Sequence, residues 1–408
     1  MEINTIARII KNRTADAVGL LKELIRIPSV RGQEKDISRF LKSKIEPFAD
    51  SAELVEMPES IVADPDYSFR IENFMYNGAA NLRVKLNGVG QSRSVAINTH
   101  LDVVPASAGQ DNAFDPVESD GKIYGRGAND CKGQIATLWL VLASLAELGL
   151  RPRGDVTIDF VLEEECGGNG SLLVVRNGLK ADAAIVMEPT ELQVIHLIRG
   201  AVWFTVETRG KAGHSGSPGT TVSALKEAIN AMDAIEGVRE KLLQASRKHV
   251  AKIAEHPNPM PLTFGMLHSG NWPAAAPGHA ELKGVFGFLP PFNRTEVQKE
   301  LSAAVNSDNA TIHFDMLNND PSFTEENHPL VQTMLQSAQR AGFVSKPEFM
   351  NASCDAWRYS EQLKIPTVVF GAGSLSTAHS KEEHIAIAAI QKAALALILF
   401  LDSWSGFK

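Results

Sequence analysis

Six side chains of metal-binding type occur in short polar segments that interrupt apolar ones: His100 in THLDVVP, Asp130 in GRGANDCKG, Glu164 and Glu165 in LEEECGGNG, Glu188 in VMEPT and His379 in STAHSKEEH. Imidazole and carboxylate groups suit zinc and related divalent ions, and a two-ion site needs a handful of them, one bridging both ions. Asp102 lies two residues beyond His100, on the same side of an extended chain, where its carboxylate can take the second ring nitrogen. A lone histidine at a strand end is more often structural than a ligand. The Glu164–Glu165 pair on an apolar strand is harder to dismiss, because burying carboxylates without a partner is costly. Neighbouring side chains diverge there, so one can bind metal while the other moves a proton.

These groups need elements to bring them together. Thr14 to Ile27 has helical spacing, NLRVKL (81–86) and SVAINTH (94–100) read as strands, and Cys131 to Leu148 reads as a long helix. The strands DVTIDFVLEEE (155–165) and AAIVMEP (183–189) follow. Strands alternating with helices imply a largely parallel sheet covered on both faces, with functional groups at the carboxyl ends of its strands. His100, Glu164, Glu165 and Glu188 all fall at such ends.

From about residue 200 the pattern becomes strand (201–210), helix (221–238), strand (262–270), strand (279–289), helix (293–305), strand (310–317). That β-α-β-β-α-β order is ferredoxin-like. The chain then returns to helix, strand (365–373) and helix. The expected fold is α/β: a mainly parallel sheet domain flanked by helices, from residues 1–199 and 318–408, with a ferredoxin-like unit inserted at 200–317.

Composition narrows the function classes. At 408 residues, two domains are expected. A net charge of −8 and pI near 5.8 argue against a nucleic-acid partner. The charged N-terminus reads as neither signal peptide nor membrane span. The apolar stretch 385–401 is broken by Gln391 and Lys392 and reads as a buried C-terminal helix. Three cysteines suit reduced thiols in the cytoplasm; Cys131 and Cys166, beside proposed site residues, read as small buried fillers. GRGANDCKG lacks the Ser or Thr a phosphate loop needs after Lys132, and GHSGS ends in Ser217 where a nucleophile elbow has glycine. His379 and His384, five residues apart, cannot share one helix face, so His384 reads as structural.

Together, the segments THLDVVP, GRGANDCKG, EEECGGNG, MEPTE, RGKAGHSGSP and FGAGSLSTAHSKEEH, spread over residues 99–384, resemble the metallopeptidase family of acetylornithine deacetylase, succinyl-diaminopimelate desuccinylase, aminoacylase and glutamate carboxypeptidase. The resemblance implies that His100 and Glu188 hold one ion, Glu165 and His379 the other, and Asp130 bridges them. The ions would be two divalent metals, zinc or alternatively cobalt or manganese. It further implies that Asp102 orients His100, that the Asp130–Cys131 peptide is cis, and that Glu164 is the general base for an activated water. His214, on the lid, would donate to the oxyanion from the partner subunit. The inserted unit has two helices for one sheet face, leaving an edge strand and the other face to be covered, and the family covers them by pairing lids in a homodimer.

The expected reaction is hydrolysis of the amide bond in a small N-acyl amino acid. A dipeptidase or carboxypeptidase shares all five ligands and is the alternative; a catalytically silent dimeric scaffold is a third reading, which an intact Glu164 opposes. Recognition of the substrate departs from the family pattern. Gly287 stands where an arginine is expected in KGVFGFLP, and Trp357 stands at the arginine position of SCDAWRY. Arg358 is the remaining candidate carboxylate clamp, and Asn271 in SGNWP matches the family's lid asparagine.

Overall fold

The strand Val95–His100 is buried at every position, and a run with no exposed face belongs in a sheet covered on both sides. It lies at the centre of the larger sheet of a computed structural model that describes residues 2–408 apart from 215, 217, 218, 251–255 and 315. Across that sheet the order is Ser51–Glu56, Ala80–Leu86, Val156–Val161, Val95–His100, Ala184–Val186, Thr367–Val369 and Val194–Ile198. Val156–Val161, Val95–His100, Ala184–Val186 and Thr367–Val369 are parallel neighbours. The flanking pairs are antiparallel. Four carboxyl ends therefore open on one edge of the sheet.

Helices Ile3–Ile25, Lys132–Leu148 and Ile387–Trp404 pack on one another and share the main core with these strands. Lys132–Leu148 is buried from Lys132 to Leu145, which explains why its sequence shows little amphipathic alternation. Ile387–Trp404 is the one described helix long and apolar enough to cross a membrane. Most of its apolar side chains, Leu397 to Leu401 among them, are buried in the core.

Contacts divide the chain into two compact units: residues 1–197, 323–348 and 354–408, and residues 198–322 with 349–353. The second unit orders its strands Leu262–Ser269, His279–Phe288, Gly200–Arg209, Ala310–His313, all antiparallel, the ferredoxin-like arrangement. Helices Ala224–His249 and Arg294–Val305 pack on that sheet and on each other. Asn293 caps the shorter one, its side chain accepting from Glu296 N while Glu296 reaches back to Asn293 N. Leu262–Ser269 lies at the sheet edge, with Met266 and Leu267 exposed. Gly287 has a packing reason: a Cβ there would lie 2.8 Å from Pro261 Cδ, so an arginine cannot occupy that position without moving the neighbouring chain.

Candidate metal centre

His100 ends its strand fully buried. Its Nδ1 lies 2.9 Å from the backbone carbonyl of Asp102, which can only accept, so Nδ1 carries a proton and Nε2 is the ring atom turned toward Asp130. The Asp102 carboxylate, expected on this ring nitrogen, is 3.5 Å away. It accepts instead from the backbone N–H groups of Glu164 and Glu165, each at 3.1 Å. Asp102 thus orients His100 through its carbonyl and holds the glutamate turn through its carboxylate.

Val156–Val161 ends earlier than expected, and Glu163 adopts a left-handed φ of 57°. The glutamates that follow therefore lie in a turn and not on the strand. Glu163 itself, which the sequence reading passed over, is fully buried and receives Arg31 Nε at 2.8 Å, Tyr76 Oη at 2.8 Å and Asn169 Nδ2 at 2.7 Å. It is a structural carboxylate. Glu164 and Glu165 are left to the site.

Asp130 precedes helix Lys132–Leu148, and the Asp130–Cys131 peptide is cis. One Asp130 oxygen lies 3.0 Å from His100 Nε2 and the other 3.3 Å from His379 Nε2. His379 Nε2 also lies 3.0 Å from Glu165 Oε1, and Glu188 Oε2 is 4.0 Å from His100 Nε2. Two sets of ligand atoms result, each within 4.8 Å of one another: His100, Asp130, Cys131 and Glu188, and Asp130, Glu165 and His379. Asp130 belongs to both. Cys131 is more than a filler, since its thiol donates to Glu188 Oε2 at 3.0 Å within the first set.

The electrostatics call for cations. Burial pushes the Glu164 carboxyl well above the usual range, with the Glu188 charge adding to it. Glu165 is raised by burial and by Asp130, and Glu188 is pushed up to about 8, mainly by burial. Asp130 moves the other way: burial opposes its ionisation, but hydrogen bonds from His100 and His379 outweigh it. His379 is raised to about 10 by its contacts with Asp130 and Glu165. Carboxylates crowded and buried in this way are stabilised by positive charge at their centre. The donor set of imidazole and carboxylate, with one shared carboxylate, fits two divalent ions.

The other sequence candidates lie elsewhere. His214 is exposed in the second unit, in the short strand Gly213–His214 paired with Ala275–Ala276, and Ser217 lies outside the described residues. Its Nδ1 accepts from Gly216 N at 3.0 Å, which puts the ring proton on Nε2. Asn271, also exposed, lines a cavity of about 440 Å³ in that unit with His268 and His279. Arg358 requires a correction. It is fully buried, its guanidinium donating to the carbonyls of Asp66 (3.0 Å) and Gly167 (3.1 Å) and to Gln362 Oε1 (3.1 Å). It stacks on Trp357 at 4.1 Å. An arginine so enclosed ties loops together and presents no surface to a substrate carboxylate. His384 pairs with Tyr124 in a strand, its ring against the tyrosine.

A parallel-sheet edge carrying two histidine–carboxylate sets joined by one aspartate defines a class, the metal-binding hydrolases with paired ion sites. Residues 96–403 match the model of peptidase family M20/M25/M40, and the chain belongs to that family. It is 25% identical over 399 residues to a probable succinyl-diaminopimelate desuccinylase of Staphylococcus epidermidis, covering 91% of this chain and 93% of that one. An acetylornithine deacetylase of Myxococcus xanthus is 25% identical over 355 residues, 83% and 89% of the two chains. Among solved structures, a dinuclear metal binding peptidase of the M20 family from Bacillus subtilis superposes with a TM-score of 0.65 at 14% identity, covering 97% of this chain and 99% of that one. The chain is thus a hydrolase of amide or peptide bonds.

Proposed function

We propose that this hydrolase cleaves the amide bond of a small N-acyl amino acid, in the manner of an acetylornithine deacetylase, using two divalent ions, zinc foremost. The observation that carries the reading is Asp130, whose two oxygens face the Nε2 atoms of His100 and His379. His100 and Glu188 would hold one ion, Glu165 and His379 the other, with Asp130 between them. Bound there, the ions would supply Lewis acidity and make a water acidic enough to lose a proton near neutrality. Glu164, partly buried beside Glu165, takes that proton as the water attacks the amide carbon and returns it to the leaving nitrogen. His214, with its proton on Nε2, would donate to the oxyanion from a partner subunit. With Arg358 enclosed and position 287 closed against Pro261, exposed Asn271 is the candidate to meet a substrate carboxylate. Three free thiols are consistent with a cytoplasmic site of action.

Metal analysis of the purified protein, together with a screen of N-acyl amino acids against dipeptides, tests this. The expected outcome is two divalent ions per chain and turnover of the acyl amino acids. Preferential cleavage of dipeptides would make the chain a dipeptidase, and a metal-loaded protein that hydrolyses neither class would overturn the proposal.

A further inference from the structure

The segment STAHSKEEH contributes His379 to the metal centre, yet its most deeply buried charged side chain is Glu383, which no part of the chemistry above uses. One Glu383 oxygen receives Arg126 Nη1. The other accepts the backbone N–H groups of Asn129 and Asp130, each at 3.2 Å. Arg126 is also buried, and its Nη2 donates to Ser107 Oγ at 3.0 Å and Gln110 Oε1 at 3.3 Å. Ser107 Oγ in turn donates to the carbonyl of His379 at 3.1 Å. The backbone of the bridging ligand and the backbone of a ligand more than two hundred residues away are thus fastened to one buried ion pair.

A buried ion pair gains little over apolar side chains of the same volume, so stability alone gives weak reason for one beside the ligands. Positioning gives a better one. His100 is held by its strand and by the Asp102 carbonyl, and Glu188 lies just past a core strand, after the buried Met187. His379 has no such support: it lies in a loop, half exposed, with a left-handed φ of 58°. Its ring meets Asp130 and Glu165, and its backbone is tied to that of Asp130 through the chain Asp130–Glu383–Arg126–Ser107–His379.

We propose that Arg126 and Glu383, acting through Ser107, are positioning residues that set the metal affinity of the Asp130–Glu165–His379 subsite relative to that of the His100–Glu188 subsite. The proposal rests on the two-ion reading above. Residues that orient metal ligands from behind typically contribute 10–100-fold in affinity.

The test is a titration of the full-length apoprotein with zinc in competition with a chromophoric chelator, for wild type, Ser107→Ala, Ser107→Thr and Arg126→Met, with circular dichroism to establish folding. Wild type should take two equivalents. Ser107→Ala should weaken one of them by about tenfold and Arg126→Met by up to about a hundredfold. The other equivalent should stay within about twofold of wild type, and Ser107→Thr, which keeps the hydroxyl, should restore the first. Wild-type affinities for both equivalents in Ser107→Ala, or equal weakening of both, would overturn the proposal. That partly exposed substitution decides the matter alone if Arg126→Met fails to fold. A wild-type chain that takes fewer than two equivalents would overturn the two-ion reading and this inference together, whereas two equivalents unaffected by Ser107→Ala would sink the inference only.

Discussion

Three consecutive glutamates, 163 to 165, occupy three environments. Glu163 turns back into a cage of Arg31, Tyr76 and Asn169, Glu165 faces His379, and Glu164 is held at the site by its own backbone N–H and that of Glu165, both donating to the Asp102 carboxylate. If Glu164 is the base, Glu164→Gln should keep both metal equivalents and lower kcat by at least about a hundredfold; loss of an ion in that variant would mean that Glu164 and Glu165 have exchanged roles. Glu34 offers a test of electrostatics away from the ligands. It is buried, one of its oxygens has no hydrogen-bond partner among the described residues, and burial together with the Asp102 charge pushes its carboxyl up to about 8 from 4.5. Between those values the native state binds more protons than the unfolded chain, so stability falls as pH rises through the window. Glu34→Gln should therefore raise the thermal midpoint relative to wild type more at pH 8.5 than at pH 5, by the equivalent of roughly 1 kcal/mol or more. A pH-independent difference would refute the assignment.

At the level of elements, the site is a consequence of strand direction. Because Val156–Val161, Val95–His100, Ala184–Val186 and Thr367–Val369 are parallel, the loops that follow them emerge together, and Glu164, Glu165, His100, Glu188 and His379 converge without any of them being close in sequence to all the others. The antiparallel neighbour Ala80–Leu86 is joined to this group by an ion pair whose carboxylate is buried: Arg83 lies directly opposite Asp159 and binds both its oxygens, at 2.7 and 3.0 Å. Arg83→Met leaves the Asp159 charge buried and unpaired, which should cost about 3–5 kcal/mol in chemical denaturation. Adding Asp159→Leu should recover most of that loss. If the single variant unfolds like wild type, the pair is not holding these strands in register.

The whole molecule poses the question of assembly. In the second unit the edge strand Leu262–Ser269 exposes Met266 and Leu267, and Trp272 just beyond it is 68% exposed. Unpaired edges with apolar side chains invite pairing with another chain, and a two-fold arrangement would cover the same edge on both subunits. We therefore predict a homodimer with His214 acting in trans. Mixing Glu164→Gln protein with His214→Ala protein under conditions of subunit exchange should yield hybrids with one site carrying both defects and one carrying neither, so activity should rise above either parent. A monomer in solution, or no recovery despite demonstrated exchange, would refute the trans role.

What the sequence alone determined was local in origin. Apolar runs that end in His100, Glu188 or the glutamates are visible because strand burial and a polar terminus both leave their mark on adjacent residues. The βαββαβ order of the inserted unit is likewise written in periodicity. The tertiary structure decided what depends on distant contacts. Nothing near Glu163 in the chain announces Arg31 and Tyr76, so its structural role could not be separated from those of Glu164 and Glu165. Arg358 has the residue type of a clamp, and only the carbonyls of Asp66 and Gly167 closing on it show that it is enclosed. Glu383 was hidden among the charges of HSKEEH, because its partners Arg126, Asn129 and Asp130 lie some 250 residues earlier. A sequence displays which groups can do chemistry; which of them face the site is set by long-range packing, where burying each charge requires a partner that the fold alone supplies.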